Sequence, residues 1–419
     1  MKNRKVLFTL AGAMALPFLA SAQASSVQIY GTFNPMVDNI KTSGATQPGL
    51  SPATGGATMV AASSYTGDLG NLPSRNRLTS GTSNLGFKGS YKVSDDVKVI
   101  WQIESAVSPD GDAPNAWTSR NSCLGLETTW GTVFYGVWDT PYKFPILFVG
   151  PLRGLNPFDD AIIANPGFNV PGTTTQQGRA NAAADAAFNR RQGNSIQYWT
   201  PNLNGFSARV AYSVNEGKTT ATATVPSVSP TLWSALLSYK NGGLSISYGH
   251  ECHNDYFGLA QMGGSAGATA TNASSKDLGD ELVASYAFST GTKVSAIVEK
   301  LSYDTDDTAV GKVNHYQRNA FYLLLQQRWG AHQLFASYGK ADAGSVTVVG
   351  GGPATSNGLG GTQWSGGYVY SLSKTADLYV SAYGMNNDRS ASYALFPPVG
   401  KVAPGASTTG FGLGILYTF

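Results

Sequence analysis

Along most of this chain the apolar positions return every second residue. Phe411, Leu413, Ile415, Tyr417 and Phe419 alternate with Gly412, Gly414, Leu416 and Thr418. Val97, Val99, Trp101 and Ile103 alternate with Lys98, Gln102 and Glu104, and Phe206, Ala208, Val210, Tyr212 and Val214 with Ser207, Arg209 and Ser213. A period of two puts alternate side chains on opposite faces of a β-strand. In water, many such strands with one greasy face and open backbone edges would aggregate. The pattern therefore predicts apolar faces against lipid and edges closed by pairing into a barrel.

The alternation predicts sixteen strands, near 27–39, 82–92, 96–106, 118–128, 131–138, 194–201, 205–214, 231–239, 243–252, 279–288, 292–302, 317–328, 331–340, 363–372, 376–385 and 409–419. Their connections alternate in length. Short ones lie at 93–96, 128–131, 201–205, 240–243, 289–292, 329–332 and 372–376. Long ones lie at 40–81, 107–117, 139–193, 215–230, 253–278, 303–316, 341–362 and 386–408. Short turns on one rim, long loops on the other and an even strand count are the plan of bacterial outer-membrane barrels. The predicted fold is all-β: a transmembrane antiparallel β-barrel of 16 strands with short periplasmic turns and long extracellular loops. A barrel of that width leaves a water-filled lumen. Tyr91, Trp130, Tyr198, Trp199, Tyr239, Tyr286, Trp329 and Tyr417 lie near strand ends, where interfacial aromatic girdles are expected.

The first residues agree with export. Lys2, Arg4 and Lys5 precede an apolar stretch from Val6 to Leu19 broken by Pro17, and small residues follow at Ala20-Ser21-Ala22 or Ala22-Gln23-Ala24. This predicts a signal peptide over 1–22 and a single barrel domain over 23–419. At about 14 residues the apolar stretch is too short for a spanning helix, which needs roughly 20. Residues 1–22 carry three of the 28 Lys and Arg and none of the 25 Asp and Glu, so the mature chain balances 25 against 25. The basic pI belongs to the precursor and gives no reason to expect a nucleic-acid partner. Charged residues are only 13% of the chain, about half the share usual in soluble domains, which disfavours an ordinary soluble enzyme.

Catalytic and metal chemistry find little support. His315 and His332 fall on opposite predicted rims, and His250-Glu251-Cys252-His253 lacks the spacing of HExxH or paired CxxC sites. No nucleophile elbow or phosphate loop occurs, so no cofactor, metal or catalytic residue is expected. Cys123 and Cys252 lie in separate strands and read as two isolated buried thiols, with a disulfide as the alternative. Asp304, Asp306 and Asp307 read as solvated loop charge, or as a divalent-cation site against lipopolysaccharide.

Four segments carry a family resemblance. TSNLGFKGSYKVSDDVKVIWQIES at 82–105, LGLETTWGTVFYGVWDTPY at 124–142, RQGNSIQYWTPNLNGFSA at 191–208 and QASSVQIYGTFNPMVDN at 23–39 resemble, in order and spacing, blocks of the general trimeric porins of Gram-negative bacteria, particularly the β-proteobacterial kind. The resemblance implies a homotrimer in outer-membrane lipid and lipopolysaccharide, passing ions and small hydrophilic solutes by passive diffusion. It further implies a third loop, here 139–193, folded into the pore as a constriction. Acidic loop residues would face basic wall residues across it and set ion preference.

GLNPFDDA at 154–161 is similar to the family's Pro-Phe-acid stretch, which makes Asp159 and Asp160 the acidic candidates, with Asp185 a third. Strand parity turns Lys88, Lys98 and Arg209 to the lumen. Arg191 matches the family's lumenal arginine, and Arg75, Arg77 and Arg120 lie near extracellular strand ends. Arg120 has lipid-facing parity unless its strand begins after it. Two family arginines are replaced, by Asn84 and Val137, and the terminal Phe419 matches the family's closure and assembly residue. Other readings stay open: a substrate-specific channel with an aromatic track including Tyr30, Tyr379 and Tyr383, or a barrel adhesin or hydrolase.

Overall fold

The computed structural model describes residues 26–46, 73–111, 117–147, 149–151, 162–168, 186–214, 220–221, 227–262, 274–352, 354–395 and 402–419. The signal-peptide reading and the three acidic candidates Asp159, Asp160 and Asp185 fall outside these residues. Among the described residues nineteen strand segments form one antiparallel sheet. They are β1 (Ser26–Phe33), β2 (Met36–Ser43), β3 (Arg75–Thr79), β4 (Asn84–Lys92), β5 (Val97–Ala106), β6 (Ser122–Thr128), β7 (Gly131–Asp139), β8 (Arg191–Trp199), β9 (Phe206–Val214) and β10 (Thr231–Asn241), followed by β11 (Leu244–Asn254), β12 (Ser275–Ala287), β13 (Thr292–Thr305), β14 (Val313–Trp329), β15 (His332–Ala341), β16 (Ser345–Val348), β17 (Gly361–Ser371), β18 (Ala376–Asn387) and β19 (Ser407–Thr418).

Three pairs of segments, β1 with β2, β3 with β4 and β15 with β16, continue one another, which reduces nineteen to sixteen staves. β1 and β2 are parted at Asn34-Pro35, where proline cannot donate to the ladder. The β1–β2 stave runs beside β19 on one side and beside β3 and β4 on the other. β15 and β16 both pair with β14. Thr32 opposite Thr418, Phe33 opposite Tyr417 and Met36 to Ser43 along β19 close the cylinder. Segments β3 and β16 lie inside stretches expected to be loop. Each is only five or four residues long, too short to show the alternation.

The outer face is apolar and open. Phe411, Leu413, Ile415 and Tyr417 on β19 and Phe419 just after it are all exposed, as are Phe206, Val210, Tyr212 and Val214 on β9. Exposed apolar rows on almost every stave have no aqueous explanation and fit a hydrocarbon surround. Tyr91, Trp130, Tyr198, Tyr286, Trp329 and Tyr417 are exposed next to the short turns and form a girdle on that rim. Trp199 does not belong to it. It points inward and packs edge-on to Phe134 and Trp138 at 5.0 and 5.7 Å.

Several inward positions are apolar and buried, among them Ile297, Leu301, Leu324 and Leu416. All four belong to a buried cluster that also contains Tyr142, Ile146, Ile162, Ile163 and Phe168, residues of the connection between β7 and β8. Part of the inner wall is therefore dry because that connection lies against it. Both cysteines are free; Cys252 is buried, but Cys123, opposite lipid-facing Leu124, is only partly so, a correction to the expected pair of buried thiols.

Candidate functional site

The connection from β7 to β8 is tied at both ends to one carboxylate. Asp139 lies 3.0 Å from Lys143 Nζ and 3.3 Å from Arg191 Nε, and Arg191 Nε also donates to Asn121 (3.0 Å). From there a single helical turn, α1 (Lys143–Ile146), starts the descent into the barrel. The Tyr142 amide donates to Ser234 Oγ on β10 (2.9 Å), and its phenol donates to Glu299 Oε1 on β13 (2.7 Å). Burial, together with the neighbouring Glu299 and Glu281, pushes that phenol well above its ordinary pKa, so it stays a donor. Gln326 on β14 and Gln333 on β15 reach the carbonyls of Gly150 (3.4 Å) and Pro151 (2.7 Å). These glutamines sit beside the short β14–β15 turn, so the loop crosses the lumen near the turn rim.

The next described stretch, 162–168, is held at mid-height. The Ala164 amide donates to Glu299 Oε1 (2.7 Å), and Arg318 on β14 donates to the carbonyls of Ile162 (3.0 Å) and Asn165 (2.6 Å). Arg318 and Glu299 are themselves a 2.7 Å ion pair without solvent access. Phe168 packs edge-on to Tyr303 and Tyr316, and the Tyr303 phenol donates to the Ala186 carbonyl (2.6 Å). The described parts of the loop thus lean on the wall from β10 to β17.

The facing wall carries a repeated device. Tyr383 on β18 lies flat across Gly410 of β19 and donates to Asp38 on β2 (2.8 Å), which also holds Arg77 through bonds of 2.9 and 2.6 Å. Tyr30 on β1 lies across Gly86 of β4 and donates to Glu104 on β5 (3.0 Å), which holds Arg120 Nε at 2.6 Å. Tyr379 crosses Gly414 to reach Asn34 (2.8 Å). A β-carbon on Gly410 or Gly86 would come within 2.5 Å of the tyrosine ring, so only glycine permits the crossing. Two cations of this wall, Arg77 and Arg120, are fixed in pairs with carboxylates that the tyrosines brace.

Each basic candidate has a place in this scheme. Arg77, Arg120 and Arg191 are lumenal and paired as above; β6 starts after Arg120, which frees that residue from its lipid-facing parity. Lys98 pairs with Glu127 (2.7 Å) beside the short turns, away from the others. Lys88 stands over the Tyr30 ring at 4.9 Å, and Arg75 is exposed near the extracellular end; neither has a carboxylate partner among the described residues. Arg209 is clamped between the rings of Phe144 and Trp199, at 3.3 and 3.9 Å. Phe419 stacks on Phe33 (5.7 Å) and exchanges backbone bonds with Gly31 across the closure. Sequence reasoning passed over Asp38, Glu104, Glu299 and Arg318; lumenal parity in their strands is the signal in the sequence that could have found them. His253 bonds Glu251 inside the barrel, whereas His250 bonds Asp280 beside outward Tyr248, so the His250-to-His253 run is split between two faces.

If Glu104 is only a counter-charge, Glu104→Gln keeps an acceptor for Tyr30 but leaves the Arg120 charge uncompensated. One unit charge seen at about 7 Å through water is worth roughly 0.6 kcal/mol, or a factor of about 3. Anions gain that factor and cations lose it, so the anion-to-cation permeability ratio, read from reversal potential in a KCl gradient, should rise roughly sevenfold. An unchanged ratio would take Glu104 and Arg120 out of the ion path.

A lipid-facing cylinder of sixteen staves, with a polar lumen narrowed by an inward loop, defines an outer-membrane channel. The sequence profile described as Gram-negative porin matches residues 9–390, and the chain belongs to that family, whose members are outer-membrane diffusion channels. It is 26% identical over 345 residues to outer membrane porin protein 32 of Delftia acidovorans, covering 81% of this chain and 85% of that one. It is 29% identical over 195 residues to the major outer membrane protein P.IA of Neisseria meningitidis, where the match spans only 42% of this chain and 44% of the relative. The fold is shared with the anion-selective porin from Comamonas acidovorans (TM-score 0.67, 21% identity, 94% and 100% of the two chains). It is shared also with the trimer form of OmpT from Vibrio cholerae (TM-score 0.60, 14% identity, 94% and 100%).

Proposed function

We propose that this protein is a trimeric, size-limited diffusion channel whose narrowest point lies between the inward loop and the wall built from β18, β19 and β1 to β6. The observation that carries this reading is the fastening of the loop: Glu299 and Arg318 bind Tyr142, Ile162, Ala164 and Asn165 to one side of the lumen. The other side keeps the arginines Arg75, Arg77 and Arg120 with Lys88. Ions and small hydrophilic solutes pass between them without a chemical step, and no catalytic role is assigned. The trimer follows the family and the trimer form of the Vibrio relative. Phe419, stacked at the seam, serves closure and assembly, and lipopolysaccharide surrounds the long-loop end.

Asp159 and Asp160 supply the acidic side of the constriction in this reading, with Asp185 a further contributor. Two carboxylates facing fixed guanidinium groups create a transverse field that orients dipolar solutes. In planar bilayers the protein should insert with large ohmic conductance in steps of three. Correctly folded trimers that do not conduct would remove the reading. Asp159→Asn with Asp160→Asn should move the reversal potential toward anions; no movement would reduce both residues to solvated loop charge.

A further inference from the structure

Arg209 differs from the lumenal arginines that are held in ion pairs. Arg77, Arg120, Arg191 and Arg318 each lie against a carboxylate, whereas Arg209 meets none among the described residues. Its guanidinium lies over the ring of Phe144 of α1 and that of Trp199 of β8, which are tilted 53° to each other, and its Nη1 is buried without a hydrogen-bond partner. The rings belong to a larger inward group: Phe144 lies 6.3 Å from Trp199, which is edge-on to Phe134 and Trp138. Phe134 is buried at the floor, while Trp138, Phe144, Trp199 and Arg209 remain partly exposed on the lumenal side. In a water-filled channel these rings are not needed to line the wall.

Ring contacts of this kind are made through the faces of a guanidinium and leave its N–H edge, the part that binds a carboxylate through two parallel bonds. A cation held rigid in this way has already lost the freedom that an anion would otherwise have to take from it. The neighbouring indole edges and faces offer contact to a planar ring and little to a small hydrated ion. We propose that Arg209, Trp138, Trp199 and Phe144 form a lumenal binding subsite for planar aromatic carboxylates, which pause there between the inward loop and the turn rim. The proposal rests on the channel reading and adds a solute class to it.

Its test uses trimers in planar bilayers in KCl, titrated with benzoate, acetate and benzyl alcohol. Benzoate should reduce the KCl conductance saturably, with a half-effect concentration at least about tenfold below that of acetate. Benzyl alcohol should have no effect over the same range. Arg209→Ala should raise the benzoate half-effect concentration at least about tenfold, and Arg209→Lys, which keeps the charge but not the planar stack, should fall between. Phe144→Leu alters only the loop side of the clamp and should weaken benzoate by several-fold; it decides the matter if Arg209→Ala does not assemble. Equal action of benzoate and acetate on the wild type, or an unchanged benzoate response in both Arg209→Ala and Phe144→Leu, would overturn the subsite. KCl conductance is read in the same trace. Loss of wild-type conductance would instead count against the channel itself, so the two failures are distinct.

Discussion

Arg318→Ala is expected to release the inward loop while the barrel stays closed. Arg318 has no solvent access, and it is both the counter-charge of Glu299 and the donor to the carbonyls of Ile162 and Asn165. Removing one partner of a buried ion pair strands the other charge at a cost of about 3–5 kcal/mol. The strain falls on the loop. β13 and β14 keep thirteen register pairs from Thr292–Gln327 to Asp304–His315, and none depends on the Arg318 side chain. A loss of about 3–5 kcal/mol corresponds to a rise of roughly 10² to 5 × 10³ in the population of loop conformers detached from the wall. Limited proteolysis of folded trimers should then cut within 140–190 where the wild type resists, and single-channel records should become larger or noisier. Glu299→Gln keeps an acceptor for Tyr142 and Ala164 and should lie between. Cleavage and conductance at wild-type levels in Arg318→Ala would mean that the loop is held elsewhere.

The contrast between latch and barrel shows where sequence reading reaches its limit. Strand alternation is a local property, so the sixteen staves and the loop from Asp139 to Arg191 could be read directly. Asn34-Pro35 splits one predicted strand, and β3 and β16 were overlooked because neither is long enough to display a period. The lumen is harder. An inward residue faces water in an empty cylinder, but Ile297, Leu301 and Leu324 face the returning loop, so apolar residues appear on the face expected to be polar. Trp199 was assigned to the girdle from its nearness to a turn; parity with buried Gln197 and Ser195 turns it inward. Partners such as Tyr383 and Asp38 lie 345 residues apart and meet only when the barrel closes. No spacing in the sequence records that meeting.

Gly410→Val should be the most damaging single change on the loop-free wall. The new β-carbon would fall 2.5 Å from both Cζ and Oη of Tyr383, closer than such contacts allow, so the ring must leave its place. Its bond to Asp38 is then lost, and Asp38 is buried with Arg77 as its remaining charged partner. A hydrogen bond to a charged group contributes about 1.5–3 kcal/mol, and forcing extra carbons into a packed site costs about 1–3 kcal/mol. The combined loss is on the order of 3–5 kcal/mol. Folded trimers should therefore lose their heat-resistant gel mobility at a clearly lower temperature. Gly86→Val, which displaces Tyr30 from Glu104, should behave alike because the same crossing is made there. Gly366→Val is the control: its β-carbon would meet nothing closer than the Phe335 carbonyl at 3.6 Å, an ordinary contact. Tyr383→Phe, alone and combined with Gly410→Val, separates the parts. If the glycine acts through the tyrosine bond, the double variant costs less than the sum of the singles, since the bond can be lost only once. Equal loss from Gly410→Val and Gly366→Val would show that the crossings are incidental and that the wall's arginines are held by strand geometry alone.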